Sequence, residues 1–203
     1  MNKHKILKKI IIIITLIAIF FTIFFYITKS KKIKIGNNSS SQEIIANILN
    51  ISSYESIIEV EVKSNKNMNK YLIKQTYQSP NISKQEILEP ENIKGIQITK
   101  TENEIKVENT KLNLTKLYQD YPYMTDNCMD LNTFIDKYQQ NKKQEYEEKD
   151  NEIILEIENE KNPYIKTSLL YISKETGKPT KMEIKDNSKK TLIYILYREV
   201  KFQ

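Results

Sequence analysis

The sequence predicts an α+β, mainly β fold: a curved antiparallel sheet whose concave face is covered by helices, behind one N-terminal transmembrane helix. Three observations carry that expectation. Apolar and charged residues alternate with period two in about eight runs, the signature of strands with one buried face. Two other segments switch to helical spacing, and one long apolar run near the N-terminus has no charge in it. Because the second face of each strand is charged, the sheet cannot be buried on both sides in water, and helices on one side are the economical cover.

The apolar run is Ile10 to Ile27, broken only by Thr15 and Thr22. As a helix it spans roughly 27 Å, close to the ~30 Å hydrocarbon core of a bilayer. A secretory signal has a shorter apolar region and a small-residue cleavage site. The nearest match here, Thr28-Lys29-Ser30, has a lysine at its centre, so the helix is expected to be retained. Four lysines precede the run (Lys3, Lys5, Lys8, Lys9) and four follow it (Lys29, Lys31, Lys32, Lys34), so charge counting alone barely decides orientation. The short head is simplest to leave in the cytoplasm, which puts the body outside. The expected organisation is a head over 1–9, a transmembrane helix over 10–28, a linker over 29–40 and a β domain over 41–203.

The body begins with Ser40-Ser41-Gln42-Glu43, a capping box from Ser40 to Glu43, followed by Ile44, Ile45, Ile48 and Leu49 on one helical stripe. A helix over about 41–51 follows. Ile58, Val60 and Val62 then alternate with Glu59, Glu61 and Lys63. A strand over about 70–78 sets Tyr71, Ile73, Gln75 and Tyr77 on one side and stops at Ser79-Pro80-Asn81. Ser83–Leu88, then Ile96 and Ile98 facing Ile105 and Val107, complete an antiparallel meander. The pattern breaks over 109–130. Leu131, Phe134, Ile135 and Tyr138 return to helical spacing behind Asp130, a candidate N-cap, and the charged run 142–151 reads as that helix continuing into solvent. Strands resume at Ile153–Ile157, 164–172, Thr180–Ile184 and Thr191–Phe202, the last apolar on nearly both faces and so expected to be central or covered on both sides.

Of the formal charge of +6, the first 34 residues hold eight lysines and no acid, leaving 24 basic against 26 acidic residues in the body. A nucleic-acid-binding surface needs clustered positive charge, so none is expected. One histidine, His4, and one cysteine, Cys128, exclude a histidine-based triad in the body and leave little for zinc. Gly36, Gly95 and Gly177 are too few for a phosphate cradle. No metal or cofactor is expected, and no catalysis. The pairs Glu59/Glu61 and Glu156/Glu158 share a strand face, as paired catalytic carboxylates could, but read more simply as solvated faces.

Thirteen tyrosines without a tryptophan leave two candidate surfaces. One is the irregular aromatic stretch with Tyr118, Tyr121, Tyr123, Met124 and Asn127, a candidate protein-binding surface. The other is the set Ile58, Val60, Val62, Tyr71, Ile73 and Tyr77, which could line an apolar cavity for acyl chains. Sheet edges only partly guarded by lysine leave pairing into a homodimer open.

Three segments spell a known group: 53–67 (SYESIIEVEVKSNKN), 71–95 (YLIKQTYQSPNISKQEILEPENIKG) and 162–200 (NPYIKTSLLYISKETGKPTKMEIKDNSKKTLIYILYREV). They resemble the clostridial germination proteins related to the lipoprotein GerS, within the wider lipoprotein-carrier family of LolA, LolB and RseB type. The Thr-Gly-x-Pro turn of that family matches Thr176, Gly177 and Pro179. The resemblance implies a half-open antiparallel barrel wrapped around helices. It also implies an accessory protein of the spore envelope that supports a cortex-modifying N-acetylmuramoyl-L-alanine amidase without cutting peptidoglycan itself. Residues 24–30 contain no lipobox cysteine, so attachment falls to the helix and the bilayer partner is residues 10–27. Lipid or lipoprotein carriage on the same fold is the alternative.

Overall fold

The computed structural model describes residues 40–64, 66–102, 104–119, 128–141, 144–159 and 164–202. The head, the apolar run 10–27 and all of the linker except Ser40 lie outside the described residues. Among the described residues no helix is long and apolar enough to cross a membrane.

Helix α1 (Ser41–Leu49) starts where the capping residues place it: the Ser40 hydroxyl accepts the Glu43 N–H at 3.3 Å. Six strands follow as a meander: β1 (Ser53–Lys63), β2 (Met68–Gln78), β3 (Ile82–Glu89), β4 (Ile96–Lys100), β5 (Glu104–Asn109) and β6 (Leu114–Gln119). After helix α2 (Leu131–Gln140) come β7 (Tyr146–Lys149), β8 (Glu152–Glu158), β9 (Thr167–Ser173), β10 (Pro179–Lys185) and β11 (Thr191–Phe202). All pair antiparallel in one curved, open sheet of order β6-β5-β4-β3-β2-β1-β11-β10-β9-β8-β7. The expected antiparallel architecture with two helices is therefore present, and β11 is central, beside β1.

Two expectations are corrected. The charged run after α2 does not extend the helix: Asn141 ends it, and residues 146–149 form β7, paired to β8 from Tyr146 opposite Leu155 to Lys149 opposite Glu152. A positive φ of 51° at Asp150 closes the β7–β8 turn. The irregular stretch likewise begins as a strand, because Leu114–Gln119 pair along β5. Both strands are sheet edges, and the side chains of β7 and nearly all those of β6 are exposed. With neither face buried, no period-two signal can form.

Register explains the core. Tyr71, Val60, Ile195, Met182, Leu170, Leu155 and Tyr146 stand opposite one another in a single row across seven strands. The five central members of that row are 0% exposed, and accessibility rises only at its two ends. Ile44, Ile45 and Ile48 of α1, with Leu131, Phe134, Ile135 and Tyr138 of α2, pack into the same cluster. Ridges of branched side chains from one layer thus fill the other, at roughly 1.5–3 kcal/mol per buried large side chain. The opposite face carries the charges: Glu59 pairs with Arg198, Glu61 with Lys70 and Glu158 with Lys166.

One turn depends on glycine. Gly95 has φ +85°, and a Cβ there would lie 2.7 Å from the Thr110 hydroxyl oxygen, which itself donates to the Gly95 carbonyl. Any larger residue strains the backbone and collides with the β5–β6 connection at once.

Candidate functional site

The apolar candidates all face the helices. Ile58, Val60, Ile73 and Tyr77 are buried, and Val62 and Tyr71 are partly buried against the same cluster. Their common direction follows from register, since Ile58 stands opposite Ile73 and Val60 opposite Tyr71. The Tyr77 ring lies 5.7 Å from that of Tyr54 and its hydroxyl donates to the Pro80 carbonyl.

The aromatic candidates divide. Tyr118 sits on β6 opposite Ile105, half-buried, with the Lys116 ammonium 4.8 Å from its ring centre. Tyr121, Tyr123, Met124 and Asn127 lie outside the described residues. In the β9–β10 turn, Gly177 has φ +64° and its N–H reaches the Ser173 carbonyl at 2.8 Å. The Thr176 N–H is received by the Ser173 hydroxyl, and Pro179 is buried at the start of β10 opposite Ile172.

Sequence reading missed the buried polar group that holds the start of α2. Asp130 is 1% exposed, and although it occupies the N-cap position of α2 its side chain does not cap the helix. Instead, the Tyr54 hydroxyl donates to Asp130 Oδ1 at 2.8 Å and the Ser83 hydroxyl donates to Oδ2 at 2.7 Å. Gln75 Nε2 donates to the Met129 carbonyl at 3.0 Å. The start of α2 is thereby fixed to β1, β2 and β3. With a hydrogen bond on each carboxylate oxygen and 1% exposure, the group organises the fold around the start of α2. Its signal was present: Ser56, Gln75, and Ser83 with Gln85 place polar groups on the inner faces of three successive strands.

Burial pushes the Tyr54 phenol well above its ordinary range, and the Asp130 charge adds to the effect. Tyr197 is raised the same way, first by burial and then by Asp130. On the outer face, burial followed by Glu183 raises Tyr171 to about 12, while the Lys181 ammonium lies 4.0 Å from its ring centre. These shifts fix the sign of an alkaline effect. Below about pH 10 folded and unfolded chains both keep these protons. Between about 10 and 12 the unfolded chain releases them first, so stability falls as pH rises. The urea midpoint is expected to drop between about pH 9 and about pH 11, less steeply in Tyr171→Phe; equal slopes for the two chains would contradict the assignment.

This geometry defines a class: an open, eleven-stranded antiparallel sheet with two helices seated on its inner face. The chain belongs to the YdcC-like sporulation protein family, whose model matches residues 7–203. It is similar to the GerS lipoprotein in its complex with the CwlD amidase from Clostridioides difficile, at 25% identity over 82% of this chain and 98% of that one, with a TM-score of 0.55. A conserved protein from Thermus thermophilus shares the fold at 15% identity over 81% and 88% of the two chains, TM-score 0.52. A LolA superfamily protein from Nitrosomonas europaea is similar at 14% identity over 81% and 94%, TM-score 0.43. No curated protein sequence matches this chain.

Proposed function

We propose that this chain is a non-catalytic, membrane-anchored accessory protein of spore formation or germination that binds and supports a cortex-modifying N-acetylmuramoyl-L-alanine amidase. The observation that carries the reading is the similarity to GerS over nearly the whole of that protein, in a complex with an amidase. The sporulation family fits the same setting.

Residues 10–27 hold the body at the outer surface of a bilayer, with residues 1–9 in the cytoplasm. Tethering converts a search through the whole compartment into one near the membrane, which raises the effective concentration of the partner. Tyr118 and the stretch through Asn127 offer aromatic groups of the kind that anchor protein interfaces. The outer-face carboxylates are engaged with Lys and Arg, which suits a solvated face better than hydrolysis.

The test is reconstitution of the full-length chain in nanodiscs with the amidase of the same sporulating cell. A stoichiometric complex with Kd below about 1 μM, roughly −8 kcal/mol, is expected. The amidase should cleave cortex peptidoglycan faster in the complex, and the chain alone should release no product. Absence of a complex at ~10 μM of each protein, or cleavage by the chain alone, would sink the reading.

A further inference from the structure

Beneath the first turn of α2, five buried side-chain atoms have no hydrogen-bond partner among the described residues: Ser56 Oγ, Gln75 Oε1, Gln85 Nε2, Thr133 Oγ1 and Tyr197 Oη. Their residues are all at least nine-tenths buried. Register gathers three of them, because Ser56 stands opposite Gln75 and Gln75 opposite Gln85, all on the inner face. Tyr197 stands opposite Ile58, just past a bulge from the Ser56 row, and is close enough to Asp130 to be raised by it and to Tyr54 to raise it. Thr133 lies in the first turn of α2, and the Gln75 amide is already bonded to Met129 one residue before Asp130. Register and the Gln75–Met129 bond thus put Ser56, Gln75 and Gln85 at one place under the start of α2, with Thr133 on that turn and Tyr197 one row away.

We propose that this place is a buried hydrogen-bonding site that takes ordered water and excludes acyl chains. Leaving five such atoms unbonded would cost a sum comparable to the whole stability of a domain, so they are bonded in solution. A direct bond from Gln85 Nε2 to Gln75 Oε1 could satisfy only two of them. The three hydroxyls can each donate and accept, which is the environment in which an internal water finds its two to four partners. A cation is disfavoured by the positive end of the α2 dipole, beneath which these groups lie. An acyl chain does not fit either, because it would desolvate all five groups and bond to none. Apolar carriage along the inner face is thus interrupted at the Ser56–Gln75–Gln85 row.

The test uses the full-length, 15N-labelled chain in detergent micelles. Water-selective rotating-frame spectra should show direct dipolar cross-peaks at the side-chain amides of Gln75 and Gln85. Tyr197→Phe, which removes one hydroxyl and keeps the ring, should weaken the Gln75 peak at least twofold. A nitroxide-labelled stearic acid added to the sample should leave both amide resonances sharp. The proposal is overturned by a direct Gln75–Gln85 amide contact without water peaks, by water peaks indifferent to Tyr197→Phe, or by selective broadening of these amides by the labelled acid.

Discussion

Asp130→Ala lowers the free energy of unfolding by about 3 kcal/mol, because two buried hydroxyl donors on different strands lose their shared carboxylate acceptor together. For a body of this size that corresponds to a fall in Tm of roughly 6–12 °C. Tyr54→Phe, which removes one of the two bonds and leaves the carboxylate, should cost about half as much. Urea denaturation of the three chains gives the comparison. If Asp130→Ala and Tyr54→Phe unfold within ~0.5 kcal/mol of the parent, Asp130 does not hold α2 to the sheet. The double variant is informative too: neighbours in one network are not additive, so its loss should fall short of the sum.

Phe134→Ala should cost about 3–5 kcal/mol, the range for an aromatic side chain removed from a packed interior. Phe134 is almost wholly buried on α2, with its ring 6.3 Å from that of Tyr138, inside the cluster that joins both helices to the strands. Its removal leaves a void lined by apolar groups, since neighbouring branched side chains relax only partly. The loss should appear in the urea midpoint with the slope unchanged. A cost below ~1 kcal/mol would mean that α2 rests on the sheet without filling its inner face.

The contrast between these two residues shows what was legible in the sequence. Phe134 announces itself locally: with Leu131, Ile135 and Tyr138 it makes a stripe that any helix must bury. The strands from β1 to β5 and from β8 to β11 were readable for the same reason, since a buried face writes its period into the chain. β6 and β7 have no such face, and Leu114, Leu117 and Tyr146 are all substantially exposed. Edge strands are held by backbone pairing with a neighbour, which any sequence can supply, so Leu114–Gln119 looked irregular and residues 146–149 looked like helix. Asp130 failed differently. Its sequence context suggests a local cap, whereas its partners lie 76 and 47 residues away on Tyr54 and Ser83. No window short enough to show a helix start contains them. The candidate surface was legible as composition, an aromatic cluster around Tyr118, and the alternation that placed Ile58, Val60 and Ile73 on one face described their packing without saying what they pack against.

The strand that opens the body and the strand that closes it lie side by side, Val60 opposite Ile195, with almost the entire domain strung between them. Non-local ladders of this kind zip late, because the connecting chain must be gathered before any bond rewards it. During synthesis the two wings of the sheet emerge one after the other and wait for the twelve residues of β11 to join them. Until β11 has been made the polypeptide is an unfinished pair of halves, and that strand alone completes the native sheet.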